Sequence, residues 1–140
     1  MKKSQLIRVL CAHILVIAGS AHAAWIEVDS TYRDEVTYVD SSRARREGGR
    51  VFSWSMSTYK KARELNGKTA MSDVKQSVID CERQLSAFAF FAWYEGPNAT
   101  GQNINTMTVA EGQLEFHPIV PNSIGDKEAK VACSVLHKQQ

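Results

Sequence analysis

Alternating apolar and polar residues predict a series of β-strands along most of this chain. The clearest pattern is VFSWSMSTY, residues 51–59, in which large apolar residues alternate with serines. A period of two places the two kinds of residue on opposite faces of a strand. The predicted core face carries Phe52, Trp54 and Met56, and the predicted polar face carries Ser53, Ser55 and Ser57.

Shorter runs of the same kind predict the other strands, at residues 25–30, 35–40, 72–82, 85–94 and 103–110. Segments rich in glycine, asparagine or charge lie between them and indicate turns or loops, at residues 41–50, 60–70 and 95–102. Since short connections join consecutive strands, an antiparallel meander is the economical topology.

The spacing of apolar residues changes near the C-terminus, where NSIGDKEAKVACSVLH has the 3.6-residue period of a helix. Ser123, followed three residues later by Asp126, resembles a capping box. The apolar arc contains Ile124, Ala129, Val131, Ala132, Cys133, Val135 and Leu136. The opposite side carries Asp126, Lys127, Lys130, Ser134, His137 and Lys138. We therefore predict an α+β fold, a single antiparallel sheet of about six strands with a C-terminal helix packed on one face.

The predicted strand at Leu85–Tyr94 is apolar on both faces, unlike the strand at residues 51–59. One helix covers only one of the two faces of this strand. One face carries Phe88, Phe90, Ala92 and Tyr94, and the other carries Ala87, Ala89, Phe91 and Trp93. Sheet curvature or loops such as residues 60–70 would shield the other set, or a second chain would cover it. Phe91 and Trp93 are the candidate interface residues, for a homodimer or another partner.

The first 23 residues have the features of a secretory signal peptide. A basic start precedes a ten-residue apolar run, Val9–Ala18, which is too short to span a bilayer. Ala21 and Ala23 supply the small residues of a cleavage site. We expect cleavage after Ala23, an exported single domain at residues 24–140, and no transmembrane segment after cleavage.

Removing this leader reverses the sign of the net charge. The chain has 17 basic and 15 acidic residues, and the leader takes Lys2, Lys3 and Arg8 but no acidic residue. The mature domain therefore carries a net charge of −1, so the whole-chain pI of about 8.5 gives no argument for nucleic-acid binding.

Two cysteines, Cys81 and Cys133, remain after the leader carrying Cys11 is removed. An even number of cysteines in an exported chain predicts a disulfide. The bond would close a loop of about 50 residues, stabilise the fold by about 4 kcal/mol and pin the helix to the sheet. The alternative, a reactive or metal-binding thiol pair, lacks a CxxC motif and has only His117 and His137 as companions.

No constellation of residues points to catalysis, a metal site or a cofactor. His117 precedes a proline in an apolar context, and His137 lies at the predicted helix end, where an imidazolium suits the negative pole. No HxH, HExxH, GxSxG or phosphate-binding glycine loop occurs. We therefore predict a protein that is not an enzyme.

The most concentrated charge of the mature chain is a basic cluster in the turn at residues 41–50. The cluster is the candidate binding patch and comprises Arg43, Arg45, Arg46 and Arg50. A patch of arginines suits an anionic glycan, a lipid headgroup or an acidic protein. The simpler interpretation is a solvated hairpin tip.

Several segments, in this linear order, resemble the surface-adhesin protein E family of small exported bacterial domains. They are AWIEV, VTYVDSSRARREGGRVFSW, YKKA, VIDCERQ, YEGPNATG and HPIVPNSIGDKEAKVAC, which together span Trp25 to Cys133. The resemblance implies a sheet of about six strands whose concave side holds a C-terminal helix, tethered by Cys81 and Cys133.

The resemblance also implies binding of host extracellular-matrix and serum proteins by a lipid-anchored surface protein. Because no lipid-acceptor cysteine lies at the predicted cleavage site, we expect a periplasmic or secreted location. The leading hypothesis is an exported, non-enzymatic binding protein with matrix or envelope partners. The alternatives are a periplasmic structural or envelope-stress protein without an external ligand and, third, an enzyme whose site is not recognised.

Overall fold

The computed structural model describes residues 24–31 and 34–137, so the predicted leader and Lys138 lie outside the described residues. The strands are β1 (Trp25–Asp29), β2 (Glu35–Glu47), β3 (Arg50–Leu65), β4 (Lys68–Asp80), β5 (Leu85–Tyr94), β6 (Asn103–Thr108) and β7 (His117–Pro118). A single 3₁₀ turn, Glu111–Gln113, precedes β7, and the helix α1 spans Ile124–His137. All strand pairs are antiparallel. Their order is β1 to β6 with β7 beside β5, which confirms the predicted meander and fold class.

Two segments predicted as turns or loops are strand instead. Residues 41–47 continue β2, where Arg45 pairs with Phe52, and the turn is confined to Gly48 and Gly49. Residues 60–65 and 68–70 form the far end of the β3–β4 hairpin, so the expectation that they shield β5 as a loop is wrong. Asn66 and Gly67 do form the tip, and both have the positive φ that a tight hairpin turn requires. A strand can contain many charged residues where its edge faces solvent, and the far ends of these long hairpins have such edges.

The helix covers the serine face of the sheet, not the face predicted as core. Val51 and Ile79 pack with Ala129 and Ala132 of α1 in one apolar cluster. Val51 shares its face with alternate residues along β3, which are Ser53, Ser55 and Ser57, all nearly inaccessible to solvent. The predicted polar face is therefore buried, because small side chains leave room for a helix to approach.

The face opposite the helix is also largely buried. Met56, Val78 and Ala92 are nearly inaccessible there. The turn at residues 95–101 is fastened to this side: Ser72 Oγ donates to the carbonyl of Gly96 (2.6 Å) and accepts from the Ala99 amide (2.9 Å). The loop fastened to this face is therefore residues 95–101, and not residues 60–70.

A β-bulge changes the predicted division of β5. Its register with β4 shifts between Gln76 and Ser77, so that Gln76 pairs with Phe90 while Ser77 pairs with Phe88. Phe88 therefore joins Phe91 and Trp93 on the helix side of the sheet, instead of sharing a face with Phe90.

The predicted helix and disulfide are both confirmed. The Asp126 amide donates to Ser123 Oγ (3.2 Å), and the Asp126 carboxylate accepts from the Asn122 amide (2.9 Å), close to the predicted capping box. Asp126 is buried by these contacts and by Lys130, although it was predicted on the solvent side. Cys81, just after β4, is bonded to Cys133 of α1 and ties the helix to the sheet.

Candidate functional surfaces

Three of the four arginines of the predicted patch lie on the sheet face opposite the helix, together with aromatic rings. The Arg43 guanidinium lies 5.5 Å from the centre of the Trp54 ring and 6.0 Å from that of Trp25. The Arg45 guanidinium lies 4.3 Å from the centre of the Phe52 ring. Such distances are those of cation–π contacts.

The remaining two arginines behave differently from each other. Arg50 lies 4.4 Å from the centre of the Phe116 ring, which belongs to the segment preceding β7. Arg46 alternates with Arg45 along β2, so it projects toward the other face, and the described residues offer it no ion pair. The structure thus splits the predicted patch into three stacked arginines and a separate one.

Carboxylates hold two of the stacked arginines in place. Arg43 Nε donates to Asp40 Oδ2 (2.6 Å), and Arg45 Nε donates to Glu47 Oε1 (2.8 Å). Burial raises the pKa of the fully buried Asp40, but hydrogen bonds from Ser42 and Arg43 outweigh it and keep that pKa below its usual value. About half of the Arg43 and Arg45 side-chain surface stays exposed (53% and 50%). We call Arg43, Arg45, Arg50 and the rings beneath them the arginine–aromatic face.

A groove of about 280 Å³ runs along this face. Phe52, Trp54 and Phe90 contribute aromatic walls, and the Trp54 and Phe90 rings meet edge to face at 5.4 Å. Arg45 and Glu111 add opposite charges to its lining. The groove can therefore accept a flat or apolar group beside a charged one.

The candidate interface residues lie on the other side of the sheet. The rings of Phe91 and Trp93 stack with their centres 4.3 Å apart, and Phe88 meets Phe91 edge to face at 6.1 Å. This aromatic strip of Phe88, Phe91 and Trp93 lies on the half of the helix side that α1 leaves open, because α1 packs mainly over β1 to β3. Phe88 and the neighbouring Met107 are 50% and 45% exposed. The two predicted surfaces therefore do not combine into one.

His117 lies in β7, exposed, at the rim of an open depression lined by Phe88, Met107 and Val109. Its Nε2 is 4.0 Å from Glu115 Oε2. The side chain of His137 lies outside the described part of the chain. Within that part, no three His, Cys, Asp or Glu side chains gather to hold a metal ion. Nor is any helix of the described part long and apolar enough to cross a membrane.

Sequence reasoning missed the partners that position the arginines. Trp25 and Phe116 are distant in sequence from the cluster, and only strand pairing and the return of the chain before β7 bring them near. Asp40 carried a local signal, since it lies two and three residues before Ser42 and Arg43, to which it is hydrogen-bonded.

Comparison with known proteins gives a consistent result. The family model for surface-adhesin protein E matches residues 25–134. No curated protein matches the chain. One crystal form of Haemophilus influenzae protein E superposes with a TM-score of 0.59 at 12% identity, covering 81% of this chain and 89% of that one. A structure of protein E from non-typeable Haemophilus influenzae gives 0.54 at 12% identity, covering 84% and 90%. At this identity the superpositions show a shared fold.

Proposed function

Because the chain belongs to the surface-adhesin protein E family, we propose that it is an exported, non-enzymatic binding protein that uses the arginine–aromatic face to hold an acidic partner. The partner is an acidic segment of an extracellular-matrix or envelope protein, or an anionic glycan. The predicted leader supports export, to the periplasm or the medium.

The arrangement of the arginines is the observation that carries this proposal. Three guanidinium groups lie on one face, each over an aromatic ring, and two are fixed through Nε by a carboxylate. A guanidinium whose Nε is already bonded still has Nη groups, which are suited to a carboxylate or sulfate. Side chains held in place lose less entropy on binding.

The test compares two charge-matched double variants. Arg45→Ser with Arg50→Ser removes two stacked arginines and leaves Arg43 to pair with the buried Asp40. Lys61→Ser with Lys68→Ser removes the same charge from the far end of the β3–β4 hairpin, where both lysines are exposed. Retention on immobilised heparin and on matrix protein at low salt should fall about tenfold for the arginine variant only. Equal retention by both variants and the parent protein would contradict the proposal.

A second candidate function, a periplasmic structural or envelope-stress protein, is favoured by one feature of the same face. The arginine stems cover aromatic rings, and Arg43 and Arg45 form ion pairs with Asp40 and Glu47. These contacts are the ones expected if the arginines shield the rings from water and bind no external ligand. In that case Arg45→Lys would lower stability without changing heparin retention. Crosslinking in cells would then capture an envelope protein, and fractionation would find the protein in the periplasm alone.

We also propose the aromatic strip as a second contact surface, for a partner or for another copy of the chain. Phe88 is exposed, and Phe91 and Trp93 are partly exposed; apolar surface of this kind on one side of a sheet is typical of interfaces. Phe91→Ser with Trp93→Ser should shift the sedimentation coefficient if a second copy binds there. If the parent protein and the variant have the same sedimentation coefficient, and it is that of a monomer, the homodimer is excluded.

A further inference from the structure

A cluster of ionisable side chains lies on the helix side of the sheet. Its members come from four elements: Glu35 from β2, Tyr59 and Arg63 from β3, Asp73 and Lys75 from β4, and Glu128 from α1. Arg63 is paired with Glu35, Tyr59 donates its hydroxyl hydrogen to Asp73 Oδ2, and Lys75 Nζ lies 2.8 Å from Glu128 Oε1. Three carboxylates thus face two cations, so the fully ionised cluster carries one uncompensated negative charge.

The geometry shows where that charge is least well accommodated. Asp73 Oδ1 is buried and accepts no hydrogen bond from any described residue. The same holds for Ser55 Oγ on β3, whereas Glu128 Oε1 has Lys75 Nζ as its partner at 2.8 Å. A buried charge without full hydrogen bonding is costly, and a proton on Asp73 would remove that charge.

The energetics of Asp73 agree with this geometry. Burial raises its pKa to about 6, although the hydrogen bond from Tyr59 and the charge of Lys75 act in the opposite direction. The charge of Glu35 adds to the increase. Burial alone would lower the pKa of Lys75, but Glu128, Asp73 and Glu35 outweigh it and raise that pKa, so Lys75 remains an ammonium ion throughout.

Glu128 is the one described member of the cluster that belongs to the helix. We propose that protonation of Asp73 controls how firmly the first half of α1 docks on the sheet. An ionised Asp73 competes with Glu128 for the ammonium group of Lys75, since that charge acts on both carboxylates. A neutral Asp73 removes one of the carboxylates that act on Lys75 and leaves Glu128 as its main partner, so the helix is held more tightly in acid.

The surroundings of the helix restrict this response to its first half. The second half is fastened by the Cys81–Cys133 disulfide, which does not titrate. The first half also carries Lys127, which is paired with Asp29 on β1. The hydrogen bond from Lys127 is the main cause that lowers the pKa of Asp29, so Asp29 stays ionised across this pH range. Beneath the first turns lies a cavity of about 160 Å³ lined by Lys75, Glu128, Ile124 and Phe88. Loosening the helix would open this cavity toward the aromatic strip.

Amide hydrogen exchange on the oxidised, leader-free protein tests the device, with rates corrected for the intrinsic effect of pH. Between pH 5 and pH 8, protection of residues 124–131 should fall at least about tenfold, while residues 132–137 change little, since one pKa unit corresponds to a factor of ten. Asp73→Asn should keep the first half protected at both pH values. Glu128→Gln, which removes the charge from the helix side, should also abolish the pH dependence.

The control variants separate this device from other titrating groups. His117→Gln, His137→Gln and Asp29→Asn should each retain the response to pH. Protection that is independent of pH, or that falls equally in both halves of α1, would overturn the proposal. So would a response that disappears in His137→Gln and persists in Asp73→Asn.

Discussion

The two faces of the sheet are both buried, but by different kinds of side chain. The helix side buries small hydroxyl groups and ionisable groups, among them Ser55 and Asp73, beside a small apolar cluster. The opposite side buries Met56, Val78 and other apolar residues. Its cover is a tight turn and the stems of arginines instead of a helix.

The difference shows that side-chain size decides where the helix docks. The sheet-facing residues of α1 are small, with Ala129 and Ala132 almost inaccessible, and they meet a strand whose alternate residues are serines. The rings of Phe52 and Trp54 would keep a helix away from their own face, whereas flat guanidinium groups can lie directly on them. The cost of the helix side is a set of buried polar groups that need partners.

The largest expected effect on stability comes from removing the disulfide that ties the helix to the sheet. The double variant Cys81→Ser with Cys133→Ser should lower the free energy of unfolding by about 4 kcal/mol, because the bond closes a long loop in the unfolded chain. Urea denaturation measures this loss. Reducing the disulfide of the parent protein should produce the same loss, and a change below about 1 kcal/mol would show that α1 docks without the tether.

The next effect concerns the pH dependence of stability. The pKa of Asp73 is about 6 in the folded protein and 3.8 ordinarily, so the folded state binds the proton more tightly. The proton on Asp73 therefore stabilises the folded state by up to about 3 kcal/mol. This stabilisation is fully present below about pH 4 and is lost as the pH rises through 6. Asp73→Asn should remove this decline, as followed by urea denaturation from pH 4 to 8. Asp34→Asn, at an exposed carboxylate, is the matched control and should preserve it.

A smaller effect tests whether both faces are true cores. Val51→Ala on the helix side and Val78→Ala on the opposite side should each cost about 2 kcal/mol, because both valines are almost wholly buried. Val120→Ala, at a position that is 66% exposed, should cost less than about 0.5 kcal/mol. If Val78→Ala proves as mild as Val120→Ala, the opposite face is open to water and the comparison fails.

The smallest effect separates two serines of the helix-covered face. Ser57 Oγ is hydrogen-bonded to Thr37 Oγ1 at 3.1 Å, so Ser57→Ala should cost about 1 kcal/mol. Ser55 Oγ lacks a partner among the described residues, so Ser55→Ala should be neutral or slightly stabilising. Thermal unfolding of both variants would reveal the difference, and an equal loss would indicate that Ser55 is satisfied by water.

Much of the fold could be predicted because its signals are local. Alternation identified the strand that contains Trp54, the Asn66–Gly67 pair marked a hairpin tip, and Ser123 with Asp126 marked the start of α1. The charged segments 41–47 and 60–65 were predicted wrongly, since composition alone does not distinguish a solvent-exposed strand from a loop. The four arginines of the candidate patch were grouped by their place in the sequence, which did not reveal that they divide between two faces of the sheet.

The sequence alone determined the strand order, the C-terminal helix, the pairing of Cys81 with Cys133 and the resemblance to the surface-adhesin protein E family. These follow from periodicity, turn residues, cysteine count and linear order. Only the tertiary structure decided which face the helix covers, that Phe88 joins Phe91 on the helix side, and that Asp73 is buried beside Lys75. The physical reason is that bulges, side-chain size and burial act between residues that are far apart in the chain.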